Sequence, residues 1–225
     1  MATLKKRPRG AERPDWCIYC RRAADTKDHV PPKLVLETPR PFDHPTVPAC
    51  FACNNGFSKD EEYFLTVLAM TSAAPSLIAR VREGGKVDRA LKRSPAFAER
   101  IERQAVVTPG GKVGLQPEQA RVNRVIAKIA VGLSHVRGKR VSIEDVAVLT
   151  YPLSPPNPVP DSIKSLAYTE KFRPRRWRVI QPGVFSYLWI PKSFVPPCYL
   201  MDFHGSLWAL AVIGPRFHSL WRGIT

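Results

Sequence analysis

The residues best suited to chemistry stand close together near the start of the chain. Cys17-Ile18-Tyr19-Cys20 and Cys50-Phe51-Ala52-Cys53 repeat one spacing. Two intervening residues let the backbone curl so that both sulfurs of a pair reach one metal ion, and two such pairs make a closed tetrahedral Zn²⁺ site. Four thiolates leave no open position for a substrate water, so the expected zinc is structural. Between the pairs runs Lys27-Asp28-His29-Val30-Pro31-Pro32, and Asn54 and Asn55 follow directly after Cys53. A carboxylate, an imidazole and an amide are thus bracketed by two metal-binding turns. The fifth cysteine, Cys198, lies in an apolar stretch and reads as a small buried hydrophobe.

The succession CxxC, DHxPP and VPACxxCNN resembles the zinc-stapled branch of the HNH nuclease family, whose core is a ββα-metal finger. The resemblance covers residues 14 to 72, roughly a quarter of the chain. It implies that Asp28 is a carboxylate ligand of a catalytic metal and that His29 is the general base. It also implies that Asn54, at the last position of the motif, ligates the same metal. The family's middle position, usually Asn, falls where this chain has Phe42-Asp43-His44-Pro45, so Asp43 or His44 takes that role. His44 has a plainer reading as a locally bonded surface histidine.

Elementary chemistry gives those residues a coherent task. Cleaving a phosphodiester needs a deprotonated water in line with the leaving oxygen and a cation against the charge that builds on phosphate. A neutral imidazole with a pKa near roughly 6.5 accepts the water's proton at neutral pH. Mg²⁺ or another hard divalent ion prefers oxygen ligands and keeps several waters, so Asp28 and Asn54 would suffice from the protein. The expectation is therefore one-metal hydrolysis of DNA, with His29 as base and Mg²⁺ at the leaving 3′ oxygen. The alternative is a non-catalytic, zinc-dependent nucleic-acid-binding protein in which Asp28 caps a turn and His29 bonds locally.

These groups need elements to hold them, and the expected fold class is α+β. A basic arm covers residues 1–13, the zinc-bound ββα-metal finger 14–72, a helical region 73–140 and a small antiparallel β-rich subdomain 141–225. Ser58 with Glu61 reads as a capping box opening a helix over 59–72, preceded by a turn at Asn55-Gly56. Further helices are expected over 75–81, 87–106 and 116–137. In the last, Val122, Val125, Ile126, Ile129, Ala130 and Leu133 form an apolar stripe, with Arg121, Arg124 and Lys128 on a solvated or DNA-facing side. Strands are expected over 177–180, 184–190, 199–203 and 207–213, the last two joined by a turn at His204-Gly205-Ser206. His135, His204 and His218 fall on patterns remote from the motif.

Lys and Arg number 35 against 19 Asp and Glu, a formal charge of +16. Such an excess favours an anionic partner, DNA first and RNA second. Arg21 and Arg22 beside the first cysteine pair are candidate phosphate contacts. So are Arg175 and Arg176, within Arg173-Pro174-Arg175-Arg176-Trp177-Arg178, which otherwise reads as a charged edge strand. No run of about 18 apolar residues is present, which argues against a membrane span. Basic residues at the N-terminus without an apolar segment behind them argue against a secretory signal, so a cytoplasmic protein is expected.

Overall fold

The computed structural model describes residues 16–107, 111, 113–153, 159–168, 177–191 and 196–214. Strands β1 (Thr26–His29) and β2 (Thr46–Ala49) pair antiparallel, with Asp28 opposite Val47 and His29 opposite Thr46. Helix α1 (Phe51–Thr71) begins two residues after β2. It starts eight residues earlier than the Ser58 capping box predicts. Cys50 is the N-cap, its Sγ accepting from the Cys53 N–H at 3.4 Å, while Asp25 Oδ1 accepts from the Phe51 N–H at 2.6 Å. Two side chains thereby satisfy N–H groups that the first helical turn leaves unpaired. Asn55 and Gly56 are helical rather than a turn, and Ser58 Oγ bonds back to the Asn55 carbonyl at 2.7 Å.

Five shorter elements follow. Helix α2 (Pro75–Val81) matches expectation, but the single helix expected over 87–106 is two, α3 (Lys86–Arg93) and α4 (Pro95–Glu102). Ser94 caps α4 by accepting from the Phe97 N–H at 3.4 Å, and Pro95 stands at its first position, where a missing N–H costs nothing. The chain then forms a small hairpin, β3 (Ala105–Val107) with β4 (Val113–Leu115), which replaces the end of the expected helix.

Helix α5 (Gln119–Val136) is the centre of the molecule, with α1 on one side and a five-stranded antiparallel sheet on another. The sheet order is β5-β9-β8-β7-β6, from β5 (Val146–Pro152), β6 (Arg178–Gln181), β7 (Phe185–Ile190), β8 (Cys198–Phe203) and β9 (Leu207–Ile213). Strand β5 was not predicted, because its run ends in the Pro-rich stretch; it pairs along its whole length with β9. Period-two alternation divides the faces. Tyr199, Met201 and Phe203 of β8 join the core shared with the helices, whereas Cys198 and Leu200 face a second cluster with Val159 and Ile163, the latter on helix α6 (Asp161–Tyr168). The turn after β8 is as expected: His204 and Gly205 both adopt positive φ, 55° and 59°.

One apolar core runs through all of this, from Val30, Val35 and Val47 near the first hairpin, through Phe64 and Leu68 of α1 and Ile126 and Ile129 of α5, to Tyr199 and Ala211 of the sheet. Burying a side chain of this size contributes about 1.5–3 kcal/mol, so this continuity holds the cysteine-bearing unit against the body. Among the described residues no single helix is long and apolar enough to cross a membrane.

Candidate metal centre and the Asp28–His29 strand

The cysteine pairs meet as their spacing predicts. The sulfurs of Cys17, Cys20, Cys50 and Cys53 all lie within 4.8 Å of one another, with Cys20 and Cys50 at 3.6 Å. Four sulfurs about 2.3 Å from a zinc ion would sit about 3.8 Å apart, so this donor set fits a tetrahedral ion such as zinc. The first turn is shaped by backbone bonds: Cys17 N–H donates to Arg22 O at 2.7 Å, Arg21 N–H to Cys17 O at 3.0 Å, and Arg21 takes φ 64°. Ile18 N–H donates to Pro48 O at 3.1 Å, tying this turn to β2. The Arg22 backbone N–H holds the Cys20 thiol down to about 7, towards the thiolate that metals require. Burial pushes Cys53 the other way.

Asp28 and His29 are neighbours on β1 and their side chains part company, as strand geometry dictates. Asp28 points inwards and is 5% exposed. Lys128 of α5, 1% exposed, donates from Nζ to Oδ1 at 3.0 Å and lies 2.9 Å from Oδ2. The Tyr19 hydroxyl donates to Oδ2 at 2.8 Å. Lys128 also bonds Glu61 of α1, and its ammonium sits 5.0 Å from the Phe57 ring centre. Burial raises the Glu61 pKa against the lowering effect of Lys128, and burial with the Asp28 charge raises that of Tyr19.

This arrangement corrects the expectation for α5. Arg121, Arg124 and Lys128 do not share a free cationic face, because that face lies on α1. Arg121 Nε and Arg124 Nη1 pair with the two oxygens of Asp60 at 2.6 and 2.7 Å, and Lys128 pairs with Asp28 and Glu61. Sequence reasoning missed Lys128 and Tyr19 as partners of Asp28, and Glu61 as the second carboxylate on Lys128. One signal was present: Lys128 is the lone charge between Val125 and Leu133, and a helix apolar all round is a buried one.

His29 lies on the opposite side, half-buried. Its ring stands 4.8 Å from that of His44, centre to centre, at 49°. His44 Nε2 is 2.8 Å from the Pro31 carbonyl oxygen, which fixes Nε2 as the protonated nitrogen of a neutral ring. Burial first, and then the charge of Lys33, lowers the His29 pKa to about 4; burial also lowers that of His44. His29 is therefore neutral at pH 7, and His44 is shifted in the same direction. Asp43 is exposed beside His44.

Asn54, in the first turn of α1, sends Nδ2 to Thr26 Oγ1 at 3.3 Å and to the Lys27 carbonyl at 3.4 Å. It pins the helix start to β1. The residues present do not fit a divalent ion at Asp28, since both carboxylate oxygens already face an ammonium and one also accepts from a phenol. Arg21 and Arg22 are exposed beside the first cysteine turn. Arg175 and Arg176, like residues 1–13 and His218, lie outside the described residues. No family model matches this chain, and no curated protein or solved structure matches it significantly.

Proposed function

We propose that this chain is a zinc-stapled phosphodiesterase of the HNH type that acts on DNA, with RNA as the second candidate substrate. One observation carries the reading: within a strand–strand–helix unit clamped by four cysteines, β1 turns His29 outwards as a neutral imidazole beside His44. His29 would take the proton of the attacking water. Lys33 and Arg40 both act electrostatically on His29 and would meet the phosphate's charge. A bound phosphate would offset those cations and raise the His29 pKa above about 4, while burial, the larger cause of the lowering, would stay. Zinc at the four cysteines would hold the hairpin to the helix, and Arg21 and Arg22 would contact neighbouring phosphates. Mg²⁺ or another divalent ion, with Asp28 and Asn54 as protein ligands, belongs to the family pattern, but Lys128 stands at Asp28 and no step is assigned to that ion.

A plasmid-nicking assay compares wild type with His29→Ala across several divalent ions. A general base contributes about 10²- to 10⁴-fold, so His29→Ala should lose that much while wild type nicks. Absence of cleavage in both proteins, on DNA and on RNA, would sink the enzyme reading. The pairing of Asp28 with Lys128 and Tyr19 favours a second reading, a non-catalytic zinc-dependent nucleic-acid-binding protein. That reading expects binding that weakens steeply with salt and no cleavage under any condition.

A further inference from the structure

Two carboxylates from different elements converge on one cation supplied by a third. Asp28 comes from β1, Glu61 from α1 and Lys128 from α5, and the three are linked directly. We propose that the Lys128 ammonium is a resident counter-ion occupying the cation position of a latent divalent-metal site, so that the native chain binds no divalent ion at Asp28. The inference concerns the cation at Asp28 and holds whether or not the chain cuts nucleic acid.

Three observations carry it. The ammonium faces both oxygens of Asp28, at 3.0 Å from Oδ1 and 2.9 Å from Oδ2, so an incoming ion meets a like charge at its ligands. Lys128 is 1% exposed and has the Phe57 ring 5.0 Å from its nitrogen, so the ammonium is held away from bulk water beside its two carboxylates. Formal charges in the cluster are two negative and one positive, so a single ammonium serves two acids. A divalent ion would balance both carboxylates, but only after the ammonium has gone. Oxygen donors from two carboxylates suit Mg²⁺ or Mn²⁺. Tyr19 would remain a hydrogen-bond donor to Asp28, the kind of outer contact that orients a ligating carboxylate.

The probe is Mn²⁺ with the zinc-loaded full chain. Titration followed by electron paramagnetic resonance should show no Mn²⁺ bound to wild type in a manner that Asp28→Asn removes. Lys128→Met keeps the length and apolar stem of the side chain. It should gain one Mn²⁺ site at least tenfold tighter than any in wild type, and adding Asp28→Asn should abolish that site. A folded Lys128→Met protein with no gain would overturn the proposal. Should Lys128→Met fail to fold, wild-type crystals soaked in Mn²⁺ decide alone: anomalous density at Asp28 refutes the resident counter-ion, and its absence there, with other Mn²⁺ sites visible, upholds it. Cleavage is scored separately by nicking, so loss of the nuclease reading leaves the Mn²⁺ result untouched.

Discussion

Two sets of candidate metal ligands, four thiols and two carboxylates, lie within the first 71 residues, and they meet opposite fates. At the cysteine centre four sulfurs converge, among the described residues with no hydrogen bond from a cationic side chain to any of them, and the set fits an ion from solution. At the Asp28 centre two carboxylates face one point, but α5 places the Lys128 ammonium there, paired with both. Convergence of ligands alone therefore does not make a metal site; it also matters whether the chain supplies the counter-charge itself. The cysteine ligands come from two turns on either side of a short hairpin. The acidic ligands are joined to a cation 100 residues along the chain from Asp28. The first centre can form locally, and the second exists only once α5 has docked.

The largest effect should come from breaking the cysteine centre. Metal binding at such a site is folding free energy, on the order of 10–16 kcal/mol in small zinc peptides. Cys53→Ser should lower bound zinc, measured by elemental analysis, below one equivalent and remove the cooperative melt of the cysteine-bearing unit. Full zinc content and an unchanged melt in that variant would erase the contrast between the centres.

Lys128→Ala comes next. Removing one partner of a buried ion pair leaves the other uncompensated and costs about 3–5 kcal/mol. Urea unfolding should show that loss, with a smaller loss for the double variant Lys128→Ala with Asp28→Asn, which leaves less charge behind. Additive losses would mean that the two residues are not coupled through the pair seen here.

Gly132→Ala tests how α5 reaches the first hairpin. A Cβ there would meet Val30 Cγ2 at 2.5 Å and Cγ1 at 3.0 Å, and Val30 directly follows the Asp28–His29 pair. Overpacking of this kind costs about 1–3 kcal/mol, because the Val30 methyl groups or the helix must shift. An unchanged urea midpoint would show that the close approach of α5 is not needed to seat Lys128.

The smallest effect is a titration. The His29 imidazole should keep its neutral chemical shifts down to mildly acid pH, with an NMR midpoint of about 4. The unfolded ring titrates near roughly 6.5, so as pH falls from 6.5 to 4 the unfolded state takes up the proton first. His29 therefore lowers stability progressively through that window and has no such effect above it. A short oligonucleotide should move the midpoint upwards. A midpoint near 6.5 in the free protein would place the ring in open solvent and remove the contrast with inward-facing Asp28.

Much of the fold was legible because short-range rules fix it. The CxxC pairs, the α5 stripe and the strands β7 to β9 follow from spacing and periodicity alone. The start of α1 was misread because a cysteine thiol and the distant Asp25 cap it, while Ser58 and Glu61 imitate a capping box inside the helix. The break at Ser94-Pro95 was legible in principle and was overridden by the helical pattern on either side. Strand β5 is hidden because its run ends in the Pro-rich stretch, and only its pairing with β9 reveals it.

The candidate site divides along the same line. His29 beside His44 and the four cysteines were named from the sequence, since a short hairpin joins each of those sets. Lys33 and Arg40, the cations that act on His29, lie in the same connection and went unremarked.

By itself the sequence determined the four-cysteine donor set, the alternating strands β7 to β9, and the helical stripe of α5. These depend on backbone periods of two and 3.6 residues and on the reach of a CxxC turn. Only the tertiary structure decided what Asp28 faces. Its partner is chosen by how α5 packs on α1 and β1, and in that buried space an ammonium bonded to two carboxylates outweighs any pattern read along the chain.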